Sequence, residues 1–301
     1  MELTILGCYS ATPRPKTHPT SQILSIKNHL FLIDCGEGTQ VQLRRYKVKF
    51  SRIKHVFISH LHGDHYFGLI GLISTFMLLG REAELNIYGP KGIKEVMLLQ
   101  LKLGKSWFNY PLKFHELESK ESEIIFEDDK VTVLTVPLKH RIYTNGFVFK
   151  EKIGERKIDI KAVKYHNVDI SYLQKIKQGS DVENNDGKLI LNKQITFDPE
   201  KPKSYAFCSD TQYYPSCIPT IKNVTALYHE SSFLDEHRHL CEKTRHSTAR
   251  QAALIAKEAT VERLILGHYS TRYSSIEEFK TEAKQVFDNV ELAEDGKKFI
   301  I

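Results

Sequence analysis

The chain has 301 residues, 41% of them hydrophobic and 27% charged, with a formal net charge of +6; this is enough to bury a substantial core, and a single domain is expected. No run of 18 apolar residues offers a membrane span, and Met1-Glu-Leu-Thr-Ile-Leu-Gly7 lacks the basic start and apolar core of a signal peptide, so a cytoplasmic protein without membrane association is expected. Five cysteines, Cys8, Cys35, Cys208, Cys217 and Cys241, are odd in number and unpatterned, which argues for reduced, mostly buried thiols rather than a disulfide scaffold.

In chain order, strands are predicted up to about residue 35, followed by a helical stretch from Gln40 to Tyr46. The apolar run Val56-Phe57-Ile58 reads as a buried strand that feeds a polar, Gly-containing loop. A long helix from about Tyr66 to Leu79 follows; it is apolar nearly all round and is therefore expected to be buried on several sides, its amino-terminal end meeting that loop. A second series of strands and helices starts near residue 113 and closes with a helix over Thr248–Ala259, a strand over 263–266 and a helix over Ser275–Asp288. Two strand-rich halves with helices outside imply an α/β protein, a four-layer αββα sandwich. Residues 150–203 break the rhythm and read as an insertion. Positions 150 to 177 hold eight Lys or Arg against four Asp or Glu, so they contribute +4 of the chain's +6.

The loop Ser59-His60-Leu61-His62-Gly63-Asp64-His65 places three imidazoles and a carboxylate within six residues at a strand end, where rigid scaffolds present ligands. His and Asp are groups that zinc accepts, and four of them in this order can serve two ions rather than one.

His-x-His-x-Asp-His after a strand resembles the signature of the metallo-β-lactamase superfamily. The remaining ligands stand in that family's order, each closing a predicted strand: His140 after Val131–Leu138, Asp210 after Tyr205-Ala-Phe-Cys-Ser, and His268 after Arg263-Leu-Ile-Leu-Gly. The resemblance implies one zinc on His60, His62, His140 and Asp210 and a second on Asp64, His65, Asp210 and His268, with Asp210 bridging. The segments His229-Glu230-Ser231-Ser232, Arg245-His246-Ser247-Thr248, Gly267-His268-Tyr269-Ser270-Thr271-Arg272, Phe31-Leu-Ile-Asp34-Cys35-Gly36-Glu37-Gly38 and Tyr88-Gly89-Pro90-Lys91-Gly92 narrow it to ribonuclease Z in its short form, the tRNA 3′-processing endoribonucleases.

That resemblance implies a zinc-dependent endoribonuclease that removes the 3′ trailer from a tRNA precursor after the discriminator nucleotide. In it, Asp64 orients the attacking water and accepts its proton, and His246, held by Glu230, protonates the leaving 3′ oxygen. It also implies a homodimer, with 150–203 as a tRNA-binding arm whose Lys150, Lys152, Arg156 and Lys157 meet phosphates. RNA contacts are further expected from Ser270, Thr271 and Arg272 and from the loop carrying Arg14, Lys16 and His18. Two features depart from the family pattern: the arm lacks a Gly-Pro-rich element, and the spacing of the Arg14–His18 loop is altered. The alternatives are another hydrolase of this superfamily acting on small esters or phosphodiesters, and a non-catalytic RNA binder on the same fold; the complete ligand set argues against the second.

Overall fold

Alternation of apolar side chains along each strand sends one set to each face of a sheet. A computed structural model describes residues 1–107 and 109–301 and shows where each set goes. Leu3, Ile5, Leu24, Phe31 and Phe57 enter a core shared with Val133, Phe147, Phe149, Tyr205, Phe207 and Tyr228. Their neighbours Leu6, Ile23, Leu32 and Val56 point the other way, into a core formed with Leu69, Leu72, Ile73 and Phe76 of the helix Gly63–Leu78 and Ile93 and Met97 of the helix Ile93–Leu103. The first core lies between two seven-stranded sheets, with Phe149 meeting Phe31 and Phe57 at ring-centroid distances of 5.4 and 5.3 Å. Helix Ala249–Glu258 covers the second sheet with Ala252, Ala253, Ile255 and Ala256. The four-layer αββα sandwich of the metallo-β-lactamase fold is therefore the architecture.

In the first sheet the strand Ile53–Phe57 lies parallel to His29–Cys35. In the second, Ser204–Cys208, Ala226–Glu230 and Leu264–Gly267 run parallel, in register from Cys208 to His229 and from Glu230 to Gly267. Carboxyl-terminal strand ends are thereby gathered side by side, the place where open α/β sheets present functional groups. The terminal strand Lys298–Ile300 returns to pair with Glu2–Gly7, a pairing that the chain-order reading did not anticipate.

Two expectations need correcting. Helix Gly63–Leu78 buries His65 and the apolar stripe Tyr66, Leu69, Leu72, Ile73 and Phe76, whereas Phe67 and Leu78 are 58% and 80% exposed. As an outer layer it packs one face on the sheet, so apolar composition overstated its burial. The helix expected over Ser275–Asp288 spans only Glu277–Ala283; beyond it the chain turns, and Val286 and Phe287 fold back against the core.

Residues Met1–Glu127, Val131–Lys150 and Lys203–Ile301 form one compact unit that holds both sheets, while Asp128–Lys130 and Glu151–Pro202 form another. The second unit has its own small core of Val163, Val168, Ile176, Val182, Ile190 and Ile195. Asn192 ties its turns together, donating to the carbonyls of Ile176 and Ser180 at 2.7 and 3.0 Å. Among the described residues no helix is long and apolar enough to cross a membrane. All five cysteines are buried and free, as the sequence suggests.

Helix Gly63–Leu78 sits close over the end of strand His29–Cys35 because Gly68 lacks a side chain, and a Cβ there would collide with the Gly36 carbonyl. Gly68→Ala is expected to destabilise the protein by about 1–3 kcal/mol through forced backbone shifts, measured by chemical denaturation. An unchanged midpoint would mean that the helix can slide without loss.

Candidate metal centre

The loop after Ile53–Phe57 carries His60 and His62, and the first turn of helix Gly63–Leu78 carries Asp64 and His65, where a carboxylate also suits the positive end of the helix dipole. His140, Asp210 and His268 follow the strands Val131–Pro137, Ser204–Cys208 and Leu264–Gly267. All seven predicted ligand residues are brought together, in two groups that meet at Asp210.

Asp210 Oδ2 stands 3.5 Å from His60 Nε2 and 3.8 Å from His140 Nε2. His62 Nδ1 completes this group at 3.0 Å from His60 Nε2 and 3.2 Å from His140 Nε2. Asp210 Oδ1 faces the other group, 3.2 Å from His65 Nε2 and 3.0 Å from His268 Nε2, and Asp64 Oδ2 lies 3.4 and 3.5 Å from the same two nitrogens. Two donors each about 2.1 Å from an ion at the tetrahedral angle stand about 3.4 Å apart, so both groups have the spacing of a coordination shell. His65 Nε2 and His268 Nε2 are moreover buried without a hydrogen bond, although carboxylate oxygens are this near: they point at common centres rather than at the oxygens. The donor set fits a metal at each group.

Four imidazoles are locked through their second nitrogen. His65 Nδ1 donates to Asp34 Oδ2 at 2.7 Å, His60 Nδ1 to Ser59 Oγ at 3.0 Å, His140 Nδ1 to the Arg245 carbonyl at 2.9 Å and His268 Nδ1 to Ser232 Oγ at 3.0 Å. Such partners fix ring orientation and leave Nε2 as the ligand atom. Asp34 itself accepts from the Ser59 amide and hydroxyl at 2.7 and 2.9 Å. Sequence reasoning assigned no role to Asp34, Ser59 or Ser232, although Asp34 closes an apolar strand just as Asp210 does.

Protonation follows from burial and charge. Burial pushes His60, His62 and His140 down, His140 to about 4, leaving them as neutral ligands. Burial acts the same way on His65, but Asp210, Asp64 and Asp34 outweigh it and hold its pKa well above the ordinary value, a measure of the negative charge crowded there. Asp64 and Asp210 stay ionised against burial because imidazoles surround them.

His246, in the turn between helices Arg238–Thr244 and Ala249–Glu258, has ligand-capable atoms within 4.8 Å of Asp210 and His268. Its Nδ1 donates to Glu230 Oε1 at 2.8 Å. Burial would lower its pKa, but the Glu230 charge and hydrogen bond raise it to about 9, so it carries a proton at neutral pH and cannot ligate. Glu230 is fixed by the amides of Thr211 and Ser232 and by Ser232 Oγ. His229 points elsewhere, donating from Nδ1 to the Glu230 carbonyl. Thr248, not Ser247, caps the following helix by accepting from the Gln251 amide.

A cleft of about 410 Å³ opens over the centre, lined by His62, Asp64, Asp210, His246, His268 and Ser270 with Ser10, Thr12, Arg141 and Phe233. A smaller one of about 300 Å³ continues from Asp64 past Tyr9, His18 and Glu37; His18 Nδ1 there donates to Asp295 Oδ2 at 2.7 Å. Arg14 is turned away, donating to the carbonyls of Thr271 and Tyr273 and so tying its loop to 269–273. Lys16 and Arg272 are exposed and line neither cleft, and Thr271 is half-buried. Lys150 lies in the strand Asn145–Glu151 and is the last residue of its segment in the first unit, and Lys152, Arg156 and Lys157 belong to the second unit, where Arg156 pairs with Asp198 at 2.5 Å and Lys157 with Glu200 at 2.6 Å.

Residues 1–154 match the family model described as Anti-Pycsar protein Apyc1. The chain is 44% identical over 300 residues to a ribonuclease Z of Parabacteroides distasonis, covering 100% of this chain and 99% of that one. A ribonuclease Z of Cytophaga hutchinsonii is likewise 44% identical over 301 residues, covering 100% and 96%. Among solved structures, the short form of human tRNase Z superposes with a TM-score of 0.73 at 26% identity, covering 100% of this chain and 99% of that one.

Asp34→Ala should lower metal affinity by about 10- to 100-fold, since His65 loses its orienting carboxylate. Metal titration by calorimetry measures this; unaltered affinity would show that His65 is held by packing alone.

Proposed function

The chain belongs to the ribonuclease Z family, and residues 1–154 also to the family described as Anti-Pycsar protein Apyc1, and from this membership we infer that it is the metal-dependent endoribonuclease that cuts tRNA precursors after the discriminator nucleotide. The products are a tRNA ending in a 3′ hydroxyl and a trailer with a 5′ phosphate. The observation that carries this reading is a pair of opposite groups lining one cleft around Asp210: an ionised carboxylate, Asp64, and a protonated imidazole, His246. A sugar alkoxide is a poor leaving group, and its departure needs a proton donor placed away from the attacking water.

Two zinc ions per subunit fit the donor sets, one held by His60, His62, His140 and Asp210 and the other by Asp64, His65, Asp210 and His268. When bound, such a pair makes hydroxide available near neutral pH and offsets the charge of the phosphodiester. Asp64 orients the attacking water and accepts its proton. His246 gives its Nε2 proton to the departing 3′ oxygen, while Glu230 keeps Nδ1 engaged and stabilises the cationic ring until that moment.

RNA affinity is assigned to residues 150–203, with Lys150, Lys152, Arg156 and Lys157 as phosphate contacts; for Arg156 and Lys157 this means exchanging Asp198 and Glu200 for phosphate. His18 and Ser270, which line the clefts, contact the strand near the cut, and Arg14, Lys16, Thr271 and Arg272 belong to the same two loops. A homodimer and a cytoplasmic location complete the reading, the latter supported by five free, buried thiols.

A labelled tRNA precursor with a 3′ trailer, incubated with the parent protein and Asp64→Ala, should be cut after the discriminator by the parent, the variant losing about 10²–10⁴-fold in rate. Absence of cleavage by metal-loaded protein would move the reading to a hydrolase of small esters or other phosphodiesters.

The parent's kcat/KM should fall as pH rises through about 9, where His246 loses its proton. In Glu230→Gln, the charge and the ionic hydrogen bond that oppose burial most strongly are lost and only Asp210 still raises the His246 pKa, so the alkaline limb should move to lower pH and the rate at pH 7 should drop. An alkaline limb that stays near pH 9 in the variant would exclude His246 as the acid.

A further inference from the structure

The cleft over the metal centre has a single Lys or Arg in its lining among the described residues, and it is Arg141. Arginines expected to meet phosphate on sequence grounds are elsewhere: Arg272 lines neither cleft and Arg14 is spent on backbone carbonyls. Arg141 follows the ligand His140 directly, so its backbone is fixed by the imidazole that the Arg245 carbonyl holds. Its side chain is exposed, and among the described residues no hydrogen bond or ion pair engages its guanidinium. It lines the same cleft as His62 of the first ligand group. An unpaired guanidinium costs nothing in water, but at the mouth of a cleft that receives RNA it is a preformed fork for phosphate oxygens.

We propose that Arg141 is a substrate-binding residue that grips the phosphate next to the scissile one, fixing the register of the strand over the metal centre. This rests on the endoribonuclease reading. The scissile phosphate has other partners, the metal pair and His246, whereas a neighbouring phosphate entering between His62 and Thr244 meets only this cation in the cleft. Arg141 therefore acts in binding more than in the chemical step. Its loss should raise KM and leave proton transfer by Asp64 and His246 in place.

The test uses the zinc-loaded full chain. With the tRNA precursor, Arg141→Ala should raise KM about tenfold or more, with kcat falling less than about threefold. Binding of the same precursor to Asp64→Ala with and without Arg141→Ala, followed by anisotropy at several salt concentrations, reads the contact without cleavage. The slope of log Kd against log salt should become shallower by about 0.7, the share of one phosphate contact on a single strand. Arg141→Lys should keep most of the slope and recover only part of the affinity, since an ammonium lacks the fork.

The small diester bis(p-nitrophenyl) phosphate has no second phosphate, and its hydrolysis should be reduced less than about threefold. An equal loss on both substrates would overturn the proposal, because Arg141 would then act on the scissile phosphate or on His140. An unchanged salt slope would overturn it also. Failure of the parent to cut the precursor is a separate result that counts against the endoribonuclease reading, and the salt slope still reports on Arg141.

Discussion

Three carboxylates, Asp34, Asp64 and Asp210, are buried around the imidazole of His65, and most of what is special about the joined sheet edges answers to that concentration of negative charge. Carboxylates leave water only if cations or hydrogen-bond donors meet them, and here imidazoles and backbone amides are the protein's own contribution. The geometry is enforced against local preference. Asp34, Asp210 and His268 all adopt positive φ, at 52°, 50° and 59°, a region that residues with side chains enter at a cost. Each lies at a strand end, so the bend that strains the backbone is the bend that turns the side chain toward its neighbours. The parallel strands beneath supply the rigidity that holds these bends in place.

The same device, a carboxylate bonded to imidazole Nδ1, serves different ends according to what the other nitrogen faces. Asp34 bonds His65, whose Nε2 faces two further carboxylate oxygens at 3.2 and 3.4 Å, the spacing of donors around a cation. Glu230 bonds His246, whose ring borders open cleft and is partly exposed, and there the carboxylate stabilises a proton that can be given away. Asp295 bonds His18 at the side cleft, where the ring lines a pocket away from the clustered imidazoles. Distance and exposure at Nε2, rather than the pairing itself, separate these roles.

The convergence of the seven candidate ligand residues and the αββα layering were legible because each candidate closes an apolar run, and period-two and helical patterns locate such runs in any sequence. Asp34 has that same signature yet remained unassigned, since its partners Ser59 and His65 come from the next strand's loop and only the parallel pairing of His29–Cys35 with Ile53–Phe57 makes them neighbours. Arg141 went unnoticed for a similar reason: the residues that share its cleft are scattered from Ser10 to Ser270. Helix Gly63–Leu78 shows the opposite failure, in which apolar composition was plain but its covered face depended on packing. Charge counting likewise located the basic stretch after residue 150 without foreseeing that Arg156 and Lys157 are matched by Asp198 and Glu200 from the segment's far end.

The match of residues 1–154 to the Apyc1 family covers one part of the fold. That span contains His60, His62, Asp64, His65 and His140, five of the seven ligand residues, together with the whole of the first sheet except its terminal strand. It contains neither Glu230 nor His246, nor the second unit's residues beyond 154. The half that follows adds Glu230, whose charge and hydrogen bond raise the pKa of His246 beside Asp210. Ribonuclease Z relatives match the chain through both halves.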